Sequence, residues 1–93
     1  MGLQFEWDRA KARTNWAKHR ITLDEAATVF LDEFSITVAD PDHSFDEDRW
    51  IVMGLSAQQR LLIVAFAERD GILRLISARR TSRAERVKYE EQT

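Results

Sequence analysis

The stretch RWIVMGLSAQQRLLIVAFAERDGILRLISARR, residues 49–80, decides the fold predicted for this chain. It contains three β-rich runs, RWIVMG, RLLIVAFA and ILRLISAR, joined by the short connections LSAQQ and Asp70-Gly71. Antiparallel strands can be joined by very short turns, and an Asp-Gly pair is a strong hairpin signal. The middle run is apolar on both faces, which suits a central strand. We therefore predict an antiparallel meander with RLLIVAFA in its interior.

Upstream of this stretch the sequence predicts a strand and then a helix. Leu3, Phe5 and Trp7 alternate with polar residues, as in a short half-buried strand. Helix-forming residues dominate from Arg9 to His19. Asp8 precedes them and is the predicted N-cap.

A second helix and a further strand are predicted before the acidic segment. TLDE, residues 22–25, has the pattern of a capping box, and the apolar residues that follow recur at helical spacing: Leu23, Ala26, Ala27 and Phe30. FSITV, residues 34–38, alternates with a period of two, which predicts a strand. DPDHSFDED, residues 40–48, contains the one proline and many acids, and predicts an exposed loop.

The C-terminal segment predicts a third helix with a thin apolar face. Ser82 and Glu85 form another capping-box pattern. Between residues 83 and 91 the apolar side chains are only Ala84, Val87 and Tyr89. We expect this helix to sit loosely on the sheet edge or to await a partner.

These elements follow the order β-α-α-β-β-β-β-α. Consecutive strands with short connections predict an α+β fold in which two N-terminal helices and one C-terminal helix pack on an antiparallel sheet. The 93 residues, 44% of them hydrophobic, are enough for a single domain spanning residues 1–93.

The charges are segregated along the chain, although the net charge is only −2. Residues 1–20 carry a net +3, residues 21–48 carry −9 and residues 49–93 carry +4. This pattern is compatible with a basic flank that binds a polyanion and equally with ion pairing between segments. The chain has no cysteine and no apolar run long enough to cross a bilayer, so we expect a cytoplasmic protein without membrane attachment.

Several chemistries find no support in the sequence. His19 and His43 are the only histidines, and no motif with metal-ligand spacing accompanies them. The three glycines do not form a phosphate-binding loop. We therefore expect neither a metal site nor a cofactor.

Arg79 is the strongest candidate for binding an anion. It ends the last strand, and alternation places it on the same face as Leu73, Leu75 and Ser77. Its guanidinium should emerge beside the first turn of the last helix, where free backbone amides also favour an anion. The other cations of that helix can also be explained as ordinary solvent-exposed helix surface, without a role in anion binding.

Three blocks of the chain, taken in order, resemble a known family. They are FEWDRAKARTNWAKHRI (residues 5–21), DPDHSFDEDRWIVMGLS (residues 40–56) and LRLISARRTSRAERVKYEE (residues 73–91), and they resemble the BrnT family of bacterial type II toxins. The resemblance implies a RelE-like ribonuclease fold, inhibition of translation by RNA cleavage, and neutralisation by a cognate BrnA-type antitoxin. It leaves open a dimer of the toxin within an autoregulatory, DNA-binding complex.

The family pattern falls on defined residues of this chain: Trp7, Asp8, Lys11, Asn15, Lys18, His19, His43, Glu47, Arg49, Ser77, Arg79, Glu85 and Tyr89. One departure is visible, because Arg20 stands where the family usually has a glycine after the Lys-His pair. A left-handed helix end at this position would strain a residue other than glycine.

The resemblance implies cleavage without a metal, in which the 2'-hydroxyl of the RNA attacks the neighbouring phosphorus. Arg79 is then the expected clamp for the phosphate charge, with Arg49 as a second cation. His19 or Glu47 could accept the proton, and Tyr89 or Lys18 could return one. The cations expected to hold the RNA backbone are Lys11, Arg80, Arg83 and Arg86.

An alternative from another class stays open at this point. The chain could be a non-catalytic module whose basic edge binds an acidic protein partner, or nucleic acid in transcriptional autoregulation. The thin apolar face of the last helix, which a partner could complete, is its best support.

Overall fold

A computed structural model describes residues 2–43 and 48–92 of the chain. The elements follow one another in this order: β1 (Gln4–Glu6), α1 (Arg9–His19), α2 (Leu23–Thr28), β2 (Ile36–Ala39), β3 (Arg49–Leu55), β4 (Leu61–Arg69), β5 (Ile72–Arg80) and α3 (Arg83–Glu90). Short 3-10 turns follow α2 at Val29–Leu31 and β2 at Pro41–His43. The predicted element order is confirmed. None of the helices in the described residues has the length and apolar character that a membrane span needs.

The strands form one sheet in the order β1-β5-β4-β3-β2. The three pairings among β2, β3, β4 and β5 are antiparallel, as the short connections predicted. The pairing of β1 with β5 is parallel, so the sheet is mixed. No tight turn constrains the direction of β1, because it joins β5 from a distant part of the chain. It leads directly into α1, which packs along β5.

Strand β4 lies in the interior of the sheet and is apolar on both faces, as predicted. Leu62, Val64 and Phe66 join the first core cluster, beneath α2 and the 3-10 turn that follows it. Leu61 and Ile63 join the second cluster, on the opposite face. Burial on two faces explains why this strand reads as a continuous apolar run.

The cap residues begin the helices as the sequence predicts. The Asp8 side chain accepts a hydrogen bond from the Ala10 amide, 2.6 Å away, at the start of α1. Ser82 and Glu85 form a complete capping box at the start of α3. Arg20 ends α1 in the left-handed conformation (φ 57°), so the turn that glycine usually makes in the family is kept by arginine. The Arg20 guanidinium lies over the Trp16 ring, 5.5 Å from its centroid.

The capping box predicted at Thr22 is only half formed. The Thr22 hydroxyl accepts from the Glu25 amide at 3.0 Å, as expected. The Glu25 carboxylate instead accepts from the Ser56 hydroxyl at 2.7 Å and from the Arg60 guanidinium. A buried carboxylate binds a cation and a hydroxyl in preference to its own helix end, because burial makes an unpaired charge costly. This contact joins α2 to the β3–β4 connection.

A β-bulge in β5 changes which face Arg79 occupies. The register pairs Phe66 with Leu75 but Ala65 with Ser77, so Ile76 is an additional residue on β5. Strict alternation, which predicted one face for Leu75 and Arg79, is therefore wrong across this point. Arg79 pairs with Ile63 on the second-cluster face, whereas Leu75 is in the first cluster.

Helix α3 is anchored to the sheet through its one tyrosine. Tyr89 is buried in the second cluster with Met53, Leu61 and Ile63. Its hydroxyl donates to Asp32 Oδ2 at 2.5 Å, and the same oxygen accepts from the Leu55 amide at 2.8 Å. Burial and the hydrogen bond to the Asp32 carboxylate raise the pKa of Tyr89 to about 12.

We expect Tyr89→Phe to lower the free energy of unfolding by about 1.5–3 kcal/mol, the size of a hydrogen bond to a charged acceptor. Because the folded pKa is raised, the Tyr89 contribution is fully present below pH 10 and is lost as the pH rises towards about 12. The chain has a single tyrosine, so an alkaline absorbance titration reports this residue alone. A midpoint near pH 10 in the folded protein would contradict the buried contact.

Candidate RNA-cleavage cleft

The face of the sheet that carries the second cluster also holds an open cleft of about 250 Å³, called here the central cleft. Its polar lining comes from α1, from the turn after β2, from β3 and from β5: His19, Asp40, Asp42, His43, Arg49, Ser77 and Arg79. Its apolar lining is Ile51, Ile63, Ala65 and Ile76. Ile63 belongs to the second cluster and Ile51 packs against it, so the cleft lies beside the part of the sheet that Tyr89 of α3 contacts.

The bulge residue Ile76 is shared by two further cavities. The helix-side cavity, about 460 Å³, lies between α1 and β5 and includes Lys11 and Lys18. The hairpin-side cavity, about 550 Å³, reaches the end of β4 and includes Lys11 and Arg49. Because all three cavities share Ile76, they form one extended groove along β5. The central cleft is the part of this groove that includes Arg79.

Helix α1 is held against β5 by a polar contact at the far side of the bulge. Asn15 is buried, its Oδ1 accepts from the Ala78 amide at 2.8 Å, and its amide donates to the Ile21 carbonyl at 2.9 Å. Beyond the end of β1, the backbone amide on the edge of β5 thus bonds to a side chain of α1 in place of a neighbouring strand. The contact places the end of α1, including His19, next to Ser77.

Arg79 lines the central cleft, but a carboxylate engages it. Its Nη1 and Nη2 donate to Glu85 Oε1 and Oε2, each at 2.9 Å. Hydrogen bonding to Arg79 holds the pKa of Glu85 down at about 2, and the same contact raises the pKa of the Arg79 guanidinium. The Arg79 side chain nevertheless stays 45% exposed, so a phosphate can reach it.

Arg49 enters the same cleft from the first residue of β3. Its Nη2 lies 3.9 Å from Asp40 Oδ2 and 3.5 Å from His43 Nε2. Arg49 Nε is buried and has no hydrogen-bond partner among the residues that the structure describes. Asp40 therefore faces one of the candidate cations.

His43 is a cleft residue to which the sequence assigned no role. Its Nδ1 lies 3.1 Å from Asp40 Oδ2 within the 3-10 turn that follows β2. Its membership of the family pattern was the available signal. No feature of the sequence pointed to Asp40 as the partner of His43, because the burial of Asp40 depends on the folded turn.

The remaining candidates are spread over several surfaces. Lys11 and Lys18 line the helix-side cavity, and neither forms an ion pair within residues 2–43 and 48–92. Arg80 pairs with Leu62 on the first-cluster face, where its charge helps to lower the pKa of Glu25. Arg83 and Arg86 are exposed on α3.

One of the predicted proton-transfer residues, Tyr89, is not brought into the cleft. Tyr89 of α3 is buried against the sheet, and its hydroxyl donates a hydrogen bond to Asp32. Glu47 lies outside the described residues. Of the predicted candidates, the structure thus brings together Arg79, Arg49 and His19 in one cleft, with Lys18 in the adjoining cavity.

The groove has a mixed charge because several of its cations are paired. Arg74 binds Glu6 at 2.7 Å and Arg69 binds Asp48 at 2.9 Å, both in the hairpin-side cavity. Within the described part of the chain, no cluster of three or more His, Cys, Asp or Glu side chains could hold a metal ion. The accessible cations of the groove include Lys11 and Lys18 of α1 and Arg79 of the central cleft.

Comparison with known proteins places this geometry in a family. The sequence model of the family described as the ribonuclease toxin, BrnT, of type II toxin-antitoxin systems matches residues 7–85. The crystal structure of the Brucella abortus ribonuclease toxin BrnT superposes with a TM-score of 0.69 at 21% identity, and the match covers 88% of this chain and 100% of that chain. That likeness confirms the α+β fold. No curated protein matches the chain by sequence.

The matched segment includes α1, the turn after β2 and the whole sheet from β2 to β5, and so every residue that lines the central cleft. The resemblance seen in three separate blocks of sequence is thereby confirmed over most of the chain. The chain belongs to the BrnT family of ribonuclease toxins of type II toxin-antitoxin systems.

Proposed function

We propose that residues 1–93 act as one RelE-like domain that cleaves RNA in the central cleft without a metal ion. The observation that carries this proposal is the meeting of Arg79, Arg49 and His19 around one opening of about 250 Å³. These residues lie far apart in sequence and come from three different elements. Two guanidinium groups beside an imidazole are a combination suited to a ribose-phosphate linkage.

The reaction needs only groups that protein side chains supply. The 2'-oxygen forms a bond to phosphorus as the bond from phosphorus to the 5'-oxygen breaks, leaving a 2',3'-cyclic phosphate. Arg79 and Arg49 stabilise the charge on the non-bridging oxygens. His19 carries out one of the two proton transfers, and Lys18, from the adjoining cavity, is an alternative donor.

Binding of the RNA backbone extends from the cleft along α1. Lys11 and Lys18 are exposed and form no ion pair among the described residues, so their charges are available to phosphates. Arg83 and Arg86 on α3 extend the positive surface past Arg79. Phosphate contacts of this kind weaken steeply with salt, so we expect RNA affinity to fall as ionic strength rises.

The cellular role proposed for the chain follows from its family. Cleavage of cytoplasmic RNA would inhibit translation, and a BrnA-type antitoxin would neutralise the toxin by covering the groove or its cations. The complex would bind its own DNA operator and could contain two copies of the toxin.

Incubation of the purified chain with RNA in EDTA tests the proposal. We expect cleavage that EDTA does not abolish, with 2',3'-cyclic phosphate ends in the products. Loss of cleavage in EDTA that added Mg²⁺ restores would contradict the metal-free route. RNA left intact at high protein concentration, with or without Mg²⁺, would instead support the alternative of a non-catalytic binding module.

A further inference from the structure

A chain of three polar side chains, Asp40, His43 and Arg49, enters the central cleft from the side of β2. Asp40 is buried, with only 5% of its side chain exposed, and its Oδ2 lies 3.1 Å from His43 Nδ1. His43 Nε2 lies 3.5 Å from Arg49 Nη2. The His43 side chain remains 42% exposed and lines the cleft together with Arg79 and His19.

The turn that carries His43 is closed by hydrogen bonds that hold the imidazole in place. Asp40 Oδ1 accepts from the Asp42 amide at 3.0 Å, and the Asp40 carbonyl accepts from the His43 amide at 3.1 Å. The Asp40 amide donates to the Arg49 carbonyl, also at 3.1 Å, which ties the turn to β3. The carboxylate and the imidazole thus sit on one rigid unit.

The two partners of His43 define its neutral tautomer. The Asp40 carboxylate can only accept a hydrogen bond, so Nδ1 must carry the proton. The Arg49 guanidinium can only donate, so Nε2 must offer its lone pair. A carboxylate behind an imidazole and a lone pair directed towards the substrate side form the arrangement of an oriented general base.

We propose that His43 is the general base of this nuclease and that Asp40 is its positioning residue; this deepens the proposed function and rests on it. When RNA enters, the 2'-hydroxyl takes the place of Arg49 at His43 Nε2, and Arg49 turns to the phosphate. His43 Nε2 accepts the 2'-proton as the oxygen–phosphorus bond forms. The bond to the 5'-oxygen breaks, and His19 donates the proton that this oxygen needs.

The assignment divides the two proton transfers between two histidines from opposite flanks of the sheet. His19 ends α1 beside β5, and His43 follows the edge strand β2. Within the described residues, the charged and titratable groups that line the cleft with His43 are Asp40 and Asp42 of its own turn, Arg49 of β3, Arg79 of β5 and His19 of α1.

The test compares His43→Ala, Asp40→Asn and wild-type protein in RNA cleavage from pH 5 to 9. Removal of a general base should lower kcat about a hundredfold. Added imidazole should restore part of the His43→Ala activity. Asp40→Asn keeps an acceptor for the Asp42 amide but no longer selects one tautomer, so we expect a loss in kcat of about tenfold or more with little change in KM.

Glu33→Gln is the control, because it removes one negative charge from an exposed residue outside the three cavities of the groove. It should not lower kcat. The inference is overturned if His43→Ala cleaves RNA like the wild type. It is also overturned if imidazole does not restore the cleavage activity lost in His43→Ala while Asp40→Asn stays active. In both cases the proposed nuclease function would stand. If the wild-type chain does not cleave RNA, the proposed function fails, and the inference fails with it.

Discussion

Replacing Arg79 with alanine should lower the rate of RNA cleavage about a hundredfold, the cost of removing one pre-positioned donor to a transition-state charge. Arg79, the next-to-last residue of β5, lies on the cleft face because the Ile76 bulge changes the strand's alternation. Glu85 already holds the guanidinium by both of its terminal nitrogens, so the fork is oriented before RNA arrives. A phosphate must share or displace that carboxylate. The measurement is single-turnover cleavage of a labelled oligonucleotide.

Two variants separate the geometry of Arg79 from its charge. Arg79→Lys keeps the charge but loses the planar fork, and we expect an intermediate rate. Arg13→Ala removes one positive charge from the exposed surface of α1, outside the three cavities, and should leave the rate unchanged. The free energy of unfolding should change by less than about 1 kcal/mol in Arg79→Ala, because the Arg79–Glu85 pair is largely exposed. Wild-type cleavage by Arg79→Ala would remove this residue from the reaction.

Replacing Arg60 with methionine should lower the free energy of unfolding by about 3–5 kcal/mol, the typical cost of leaving a buried charge without its partner. Glu25 has only 1% of its side chain exposed, and Arg60 supplies the opposite charge. The hydrogen bonds from Arg60, together with that from Ser56, lower the pKa of Glu25 against the effect of burial. Urea unfolding at pH 7, followed by tryptophan fluorescence, measures the loss.

The stability loss in Arg60→Met should depend on pH in a defined direction. A lowered folded pKa means that Glu25 contributes its stability above its ordinary value of 4.5 and loses it as the pH falls through the folded pKa. The difference in the free energy of unfolding between Arg60→Met and the wild type should therefore become small in acid. Arg86→Met, which breaks a surface pair with Glu90 at 3.8 Å, is the matched control and should cost less than about 1 kcal/mol. Equal losses in the two variants would show that the Glu25 contact is not a buried pair.

The order of the elements could be predicted from the sequence because each signal is local. Asp8 and Ser82 begin their helices where their capping patterns place them. The Asp70-Gly71 turn joins β4 to β5, with both residues at positive φ (51° and 80°). These features depend on neighbours a few residues away, which the sequence displays directly.

Features that depend on distant contacts could not be predicted. The bulge at Ile76 is a property of how β5 pairs with β4, and it reversed the face expected for Arg79 relative to Leu75. The buried partners of Glu25 lie more than thirty residues away, at Ser56 and Arg60. Gly54 is similar: a Cβ there would lie 2.8 Å from Val29 Cγ1, a close approach that only the packed structure reveals.

The candidate site was predicted in part for the same reasons. Arg79, Arg49 and His19 share the central cleft, as the family pattern implied. Tyr89 belongs to the same pattern, but its hydroxyl donates to Asp32, which lies 57 positions earlier in the chain, and nothing in the sequence indicated this contact. Asp40 was expected to be an exposed loop acid, yet it is buried behind His43.

A crystal structure of the chain with a 2'-O-methyl RNA dinucleotide tests the central claim most directly. The methyl group blocks the attacking oxygen, so the intact linkage stays bound. We predict that its phosphate lies in the central cleft within hydrogen-bond distance of Arg79 and Arg49, with the 2'-oxygen nearer to His43 than to His19. A phosphate bound instead on the outer surface of α3, at Arg83 and Arg86, with the cleft empty, would contradict the account.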